Sequence, residues 1–316
     1  MMVDPSVKGL AAAFFYAATS VLMTFCNKWV VTTWAFEFNN AILLGQMVFS
    51  YIALEALKRR GIIDVPTWSP TAAKILVPLA LFYLGNVASA LTALRLTSVP
   101  VYNVLKRVSP LPVMLIDWVL RGQGFSFNVQ VSVLAIVVGA MITGSGDLDL
   151  NVTGYGFAIL SCALQALYLV CASKAHDIGF HANAIMYYTS ILSIPALLMM
   201  VFAFEYRSVL EYPDWHEPQF LFCLIATFAI GSLLNYGLFL CCTLNSALTT
   251  VVVGQLKGLV STVLGFLLFE KVNVTYVGGM GILLNTAGGA MYAWAKYTEK
   301  EKRVRDEHDK QQKVVV

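Results

Sequence analysis

Apolar residues run along the chain in long stretches separated by short polar ones. The stretches fall at about 8–34, 38–57, 75–97, 99–120, 129–145, 154–174, 182–204, 219–243, 246–269 and 274–296. Each approaches or exceeds the roughly 20 residues an α-helix needs to cross a bilayer. In hydrocarbon a single segment can satisfy its backbone hydrogen bonds only as a helix. The pattern therefore predicts an all-α membrane protein with ten transmembrane helices. Ten is even, so both termini lie on one side.

The distribution of charge chooses that side. With the N-terminus inside, Lys58, Arg59, Arg60, Lys74, Arg121 and Lys174 face the cytosol, as do Lys296, Lys300, Lys302, Arg303 and Arg305 of the tail. The opposite loops carry Asp147, Asp149, Glu205, Glu211, Asp214 and Glu217, with only Arg207 and Lys271 as cations. Lys and Arg near span ends favour the cytosolic side, so both termini are expected there. Only 12% of the 316 residues are charged and 58% are hydrophobic, so the net charge of +3 reads as topology and not as a nucleic-acid surface. The expected surroundings are the lipid bilayer. No cleavage site follows the first span, which serves as its own targeting signal. Residues 297–316 read as a solvated, charged cytosolic tail.

The six cysteines lie in apolar spans without a disulfide framework or ligand spacing, and the four histidines form no zinc motif. Neither a metal nor a cofactor is expected. Cys241-Cys242, at the predicted cytosolic end of span 8, either pack as small hydrophobes or carry palmitate. Two sequons, at Asn151 and Asn273, sit almost against the membrane.

Charged side chains inside the spans carry the chemistry. Lys257 lies deep in span 9, and Lys106 and Arg107 lie in span 4. A cation at such depth is costly and faces a partner, a polar cavity or a substrate path. Ten spans divide into a first five-helix repeat, residues 1–150, and a second, residues 151–296, which an odd number of crossings inverts. In carriers built this way the two halves meet at a midplane site, and here each half contributes a cation from its fourth span. A pyrophosphate diester fits that charge; a sugar phosphate or a dicarboxylate satisfies the same arithmetic. A membrane enzyme would need a convergent acid/base or nucleophile set, and Asp117, Asp147 and Asp149 form none.

Helical spacing adds neighbours. Thr250, Gly254, Lys257 and Ser261 share one face of span 9, Tyr102 aligns with Lys106 and Asn103 with Arg107, and Asn285, Gly289, Tyr292 and Lys296 form a stripe on span 10. Hydroxyls such as Thr250 and Ser261 equally bond their own backbone, and the glycines of span 10 equally serve close helix packing. Lys28, beside Asn27 on span 1, either lines a gate or extends toward the outer surface.

Asn27-Lys28, the string Val99-Pro-Val-Tyr-Asn-Val-Leu-Lys-Arg107, Gly144-Ser-Gly-Asp-Leu148 and the run from Asn245-Ser-Ala-Leu-Thr-Thr to Gly254-Gln-Leu-Lys257 resemble the nucleotide-sugar transporters of the drug/metabolite transporter superfamily. The pattern is most like the D subfamily of solute carrier family 35. The resemblance covers residues 8–296, and its span-9 string is the specific part. It implies two inverted five-helix repeats in Golgi or endoplasmic reticulum membranes. It also implies exchange of a cytosolic nucleotide sugar for a lumenal nucleoside monophosphate. GDP-mannose transporters that resemble this chain carry Phe-Tyr-Asn-Asn in span 7 and Gly-Ala-Leu-Asn-Lys in span 9. Here the strings are Met186-Tyr-Tyr-Thr189 and Gly254-Gln-Leu-Lys-Gly258, so a UDP-sugar leads and GDP-mannose or GDP-fucose follows. The resemblance puts Lys257 and Lys106 on pyrophosphate with Arg107 in support. Tyr188, Asn235, Tyr236, Asn285 and Tyr292 are candidates for base, ribose or sugar. A sugar-phosphate translocator and a non-transporting scaffold are the other readings, and a homo-oligomer is compatible with all of them. Lys257→Ala is expected to leave insertion intact and to weaken nucleotide binding far more than Arg95→Ala in ligand-dependent thermal shifts. Equal, small losses would place the anion elsewhere.

Overall fold

A computed structural model of the chain describes residues 5–65, 68–97, 102, 105–122, 124–144, 152–255 and 276–315. These residues form α1 (Pro5–Trp34), α2 (Asn39–Arg59), α3 (Pro70–Leu96), α4 (Pro110–Arg121) and α5 (Phe127–Gly144). There follow α6 (Val152–Asp177), α7 (Ala182–Phe204), the short α8 (Tyr206–Leu210), a 3-10 turn at Pro213–His216 and α9 (Pro218–Leu244). Residues 247–255 form α10 as far as it is described, and α11 runs Tyr276–Val315. Among the described residues α1, α2, α3, α6, α7 and α9 are long and apolar enough to cross a membrane, while α4 and α5 are shorter apolar helices. The protein is a multi-pass membrane protein. Lys257, Ser261, Asn103, Gly258, Asp147, Asp149, Lys271 and both sequon asparagines lie outside the described residues.

Two expectations are corrected. Span 3 starts at Pro70, five residues before the apolar run: Ser69 is extended, and Pro at the first helical position brings a preset φ and needs no hydrogen bond there. Span 4 is not one continuous helix over 99–120. A turn at 107–109 separates the helical residues 105–106 from α4, because Pro110 has no N–H to donate back to Lys106. Of the two readings of Cys241-Cys242, packing holds: both are buried, with Cys242 Sγ 3.3 Å from the Leu169 carbonyl, and no exposed thiol is left for an acyl chain. The charged segment after residue 296 continues α11 without a break.

The helices pack in matched pairs. Contact of α1 with α9 is mirrored by α6 with α3, and contact of α2 with α9 by α7 with α3; α2 pairs with α7 and α5 with α11. Between α5 and α11 glycine allows backbones to meet: a Cβ on Gly139 would stand 2.5 Å from the Asn285 nitrogen, and one on Gly288 would stand 2.8 Å from the Ile136 nitrogen.

At the Trp34 end the α1–α2 loop turns through Ala35 at φ 47°, a left-handed strain of about 1–2 kcal/mol for a residue with a Cβ. Packing of Phe36 holds it there: its ring is buried and contacts Phe38, Tyr212, Trp215 and Phe220 edge-on or tilted, at centroid distances of 4.8–5.9 Å. The Tyr212 hydroxyl donates to the Trp34 carbonyl, and burial together with Asp214 pushes it up to about 12, so it remains a donor at physiological pH. Glu205, buried after α7, accepts from Asn40 N, Asn40 Nδ2 and Ala41 N at 3.1, 2.7 and 2.9 Å, and so caps the start of α2. Glu205→Ala leaves those buried donors unanswered and is expected to destabilise the protein by about 2 kcal/mol or more. Thermal unfolding of detergent-purified protein measures it, with Glu205→Gln intermediate.

Candidate functional site

The break in span 4 builds the centre of the molecule. In an uninterrupted helix the Lys106 carbonyl would accept from residue 110, and proline cannot supply that donor. The carbonyl accepts instead from Ser109 N at 3.1 Å, from Ser109 Oγ, and from Gln255 Nε2 at 3.2 Å, the last reaching across from α10. Ser109 Oγ is also 3.3 Å from Cys162 Sγ of α6. The break is thereby satisfied by protein on two sides, as a buried carbonyl requires.

The Lys106 side chain completes the arrangement. Its Nζ donates to Asn86 Oδ1 of α3 at 3.0 Å and to Gln165 Oε1 of α6 at 3.1 Å. Both acceptors are neutral amides, so they orient the ammonium without cancelling its charge, and a third donor is left over. Lys106 is half-buried. Arg107 follows in the turn, and its Nη1 is buried without a hydrogen-bond partner among the described residues. Among the described residues neither cation bonds a carboxylate, so their charge is not cancelled locally.

Aromatic and amide groups adjoin this centre. Tyr83 of α3 meets Tyr168 of α6 edge-on, with centroids 5.6 Å apart and planes at 79°. Tyr83 reaches the Asn235 amide of α9, Tyr168 reaches Gln165, and Tyr16 of α1 lies close to Tyr168. A Cβ at Gly254 would stand 3.2 Å from the Tyr16 hydroxyl, so glycine admits α1 to that face of α10.

Of the residues expected at the site, Lys106, Arg107, Asn235 and Gly254 thus share this region. Others are placed elsewhere. Tyr188 is fully buried, stacks on Trp68 at 5.4 Å and accepts the Ser69 N–H at 3.0 Å, holding the start of α3. Asn285 is buried and donates from Nδ2 to the Ile136 carbonyl at 2.8 Å, clasping α11 to α5. The Tyr292 hydroxyl bonds Thr249 Oγ1 at 3.0 Å, tying α11 to the start of α10. Thr250 donates to the Ser246 carbonyl of its own helix at 2.9 Å. Tyr236 lines a cleft between α2, α7 and α9, and Asn27 and Lys28 are exposed near the Trp34 end of α1. Asn86, Gln165, Gln255, Tyr16, Tyr83 and Tyr168 were not anticipated. Each is a polar or amphipathic residue set among apolar ones in a span, and the signal was that such a group must find a protein partner in lipid.

The chain matches the Triose-phosphate Transporter family over residues 7–293. It belongs to that family. It is 37% identical to "UDP-galactose/UDP-glucose transporter 7" of Arabidopsis thaliana over 298 residues, covering 92% of this chain and 91% of that protein. It is 30% identical to "Nucleotide sugar transporter SLC35D2" of Mus musculus, covering 90% and 88%. Identity to the "GDP-mannose transporter" of Aspergillus clavatus is lower, 24%, over 91% and 80%. A solved crystal structure shares the fold with a TM-score of 0.67 at 15% identity, covering 90% of this chain and 98% of that one. The similarity expected from the motifs of spans 4 and 9, to nucleotide-sugar transporters of the D-subfamily type, is met, and the family is one of transporters, not enzymes.

Gln165→Leu removes one acceptor from the Lys106 ammonium and is expected to lower stability by about 1–3 kcal/mol in thermal melts. Gln165→Glu, which keeps an acceptor, is expected to match or exceed wild type; a leucine variant as stable as wild type would mean that Lys106 is not held there.

Proposed function

We propose that this protein is a nucleotide-sugar antiporter of Golgi or endoplasmic reticulum membranes. It exchanges a cytosolic UDP-sugar for lumenal UMP by alternating access. The observation that carries the reading is Lys106, held in the middle of the helix bundle among the described residues by two neutral amides, and followed by Arg107 with a nitrogen that none of them answers. Such a centre is prepared for phosphate oxygens, which can accept the remaining donors in short charge-assisted bonds. Lys257, from the second half, joins them on the pyrophosphate. Tyr83, Tyr168 and Asn235 are the neighbouring groups suited to stack on or read a base or sugar.

The matched helix pairs support two inverted five-helix repeats, residues 1–150 and 151–296, with span 4 and α10 as counterparts. The cation distribution supports cytosolic termini, with residues 297–316 as the cytosolic tail. Coupled exchange follows from charge: an empty cationic site is the form least willing to cross, and a site loaded with either anion crosses readily. The names of the relatives support uracil over guanine. So does span 7, where Tyr188 and Thr189 stand in place of paired asparagines and both are buried in packing and backbone hydrogen bonds.

Thermal shift of purified protein against UMP, GMP, CMP and AMP, followed by counterflow into UMP-loaded proteoliposomes, tests the reading. Stabilisation by UMP and uptake of UDP-sugars are expected. A GMP preference would move the substrate to a GDP-sugar, and binding without flux would leave a scaffold. Lys106→Met is expected to weaken UMP binding about ten- to a hundredfold, the value of a charged hydrogen bond to phosphate. Gln165→Glu, which neutralises the centre, is expected to act in the same direction on binding while sparing stability.

A further inference from the structure

The helices α2 and α9 touch at mid-depth and then splay. At the contact, Ser50 Oγ donates to Ser232 Oγ at 2.8 Å, and a Cβ on Gly231 would stand 2.3 Å from Gln46 Cδ. Beyond it the two helices part over α7 and leave a cleft of about 390 Å³ that reaches along α2 from Ser50 to Leu57, about 10 Å at the helical rise. Its walls are almost wholly apolar, Ala53 on α2 facing Ala229 and Leu233 on α9. Both bounding helices are long and apolar enough to cross the membrane, and an apolar cleft between such helices suits a hydrocarbon chain better than water.

The mouth is not neutral. Beside Leu57 and Ile63, α2 ends in Lys58, Arg59 and Arg60, while the nearby carboxylates are Glu55 and Asp64, so cations are in excess. Arg59 Nε bonds Glu55 at 3.0 Å, Lys58 Nζ stands 5.2 Å from the Tyr187 ring centre of α7, and Arg60 is exposed at the helix cap. An apolar slot ending at basic residues has the amphipathic shape of an anionic phospholipid, with headgroup at the cations and acyl chain inside.

We infer that the cleft between α2, α7 and α9 is a binding site for one anionic phospholipid of the leaflet on the side of both chain termini. Its acyl chain lies against Ala53, Ala229 and Leu233, and its phosphate lies at the end of α2. Because α2 comes from the first half of the chain and α7 and α9 from the second, the bound lipid bridges elements that a rocking carrier must move past one another.

The test uses delipidated full-length protein in detergent and compares dioleoyl phosphatidylserine with dioleoyl phosphatidylcholine. Phosphatidylserine is expected to raise Tm at lower concentration than phosphatidylcholine. Arg60→Ala is expected to weaken its apparent binding about fivefold, the value of one basic residue at an anionic surface, without altering the phosphatidylcholine response. Ala53→Phe fills the cleft from one wall and is expected to abolish the difference between the lipids. Ala229→Phe does so from the other wall and decides the matter if the first variant does not elute as a single species. Equal responses to the two lipids in wild type, or a phosphatidylserine preference that survives filling, overturns the inference. So does a doubling of particle mass that the filled variants lose, which would make the occupant a second copy of this chain.

Discussion

Hydrocarbon offers no hydrogen-bond partner, and in this protein the polar groups within the spans are mostly answered by other parts of the chain, Arg107 Nη1 being an exception among the described residues. Most are answered locally: Thr19, Thr24, Thr92, Thr189, Thr227 and Thr286 each donate to the carbonyl four residues back. The break at Pro110 cannot be answered that way. It frees the Lys106 carbonyl in the middle of the bundle, and among the described residues Ser109 from the turn and Gln255 from α10 supply the donors. Formation of the centre therefore depends on tertiary contact between a helix of the first half and one of the second.

The same constraint explains why the ammonium at that break is held by amides. A carboxylate partner would neutralise Lys106 and leave nothing for a ligand, whereas Asn86 and Gln165 satisfy two donors and preserve the charge. The arrangement fits a carrier that must bind an anion and release it, since an amide–ammonium bond is exchanged for a phosphate one without stranding a buried charge.

The ends of the bundle are built differently from its centre. At the Trp34 end, Glu205 and the rings around Phe36 join the α1–α2 loop to the α7–α9 connection. At the opposite end, Tyr187 contacts Glu55 and Lys58 of α2, and Tyr188 holds Trp68 and Ser69 at the start of α3. Both closures link elements of the two halves, and a carrier that opens alternately must release one while keeping the other. Tyr188 is better understood as part of such a closure than as a reader of the substrate.

Hydrophobic runs determined the membrane class and the six long apolar helices, because the energy that places a residue in lipid is a property of that residue and its close neighbours. The placement of Lys106 among the helices and the motifs of spans 4 and 9 were legible for the same reason. The interruption at Ser109-Pro110 was signalled by proline, but the apolar run continues across it and hides the turn. What the chain alone did not disclose is pairing. Asn285, Tyr292 and Thr250 share the composition of site residues and are used to clasp helices or to bond their own backbone, whereas Asn86, Gln165 and Gln255 come from three different spans and meet around Lys106. A polar side chain in lipid is bound to find a partner, and its own helix dictates that need; which partner it finds is decided by how the helices cross, through contacts 20 to 149 residues apart in the chain.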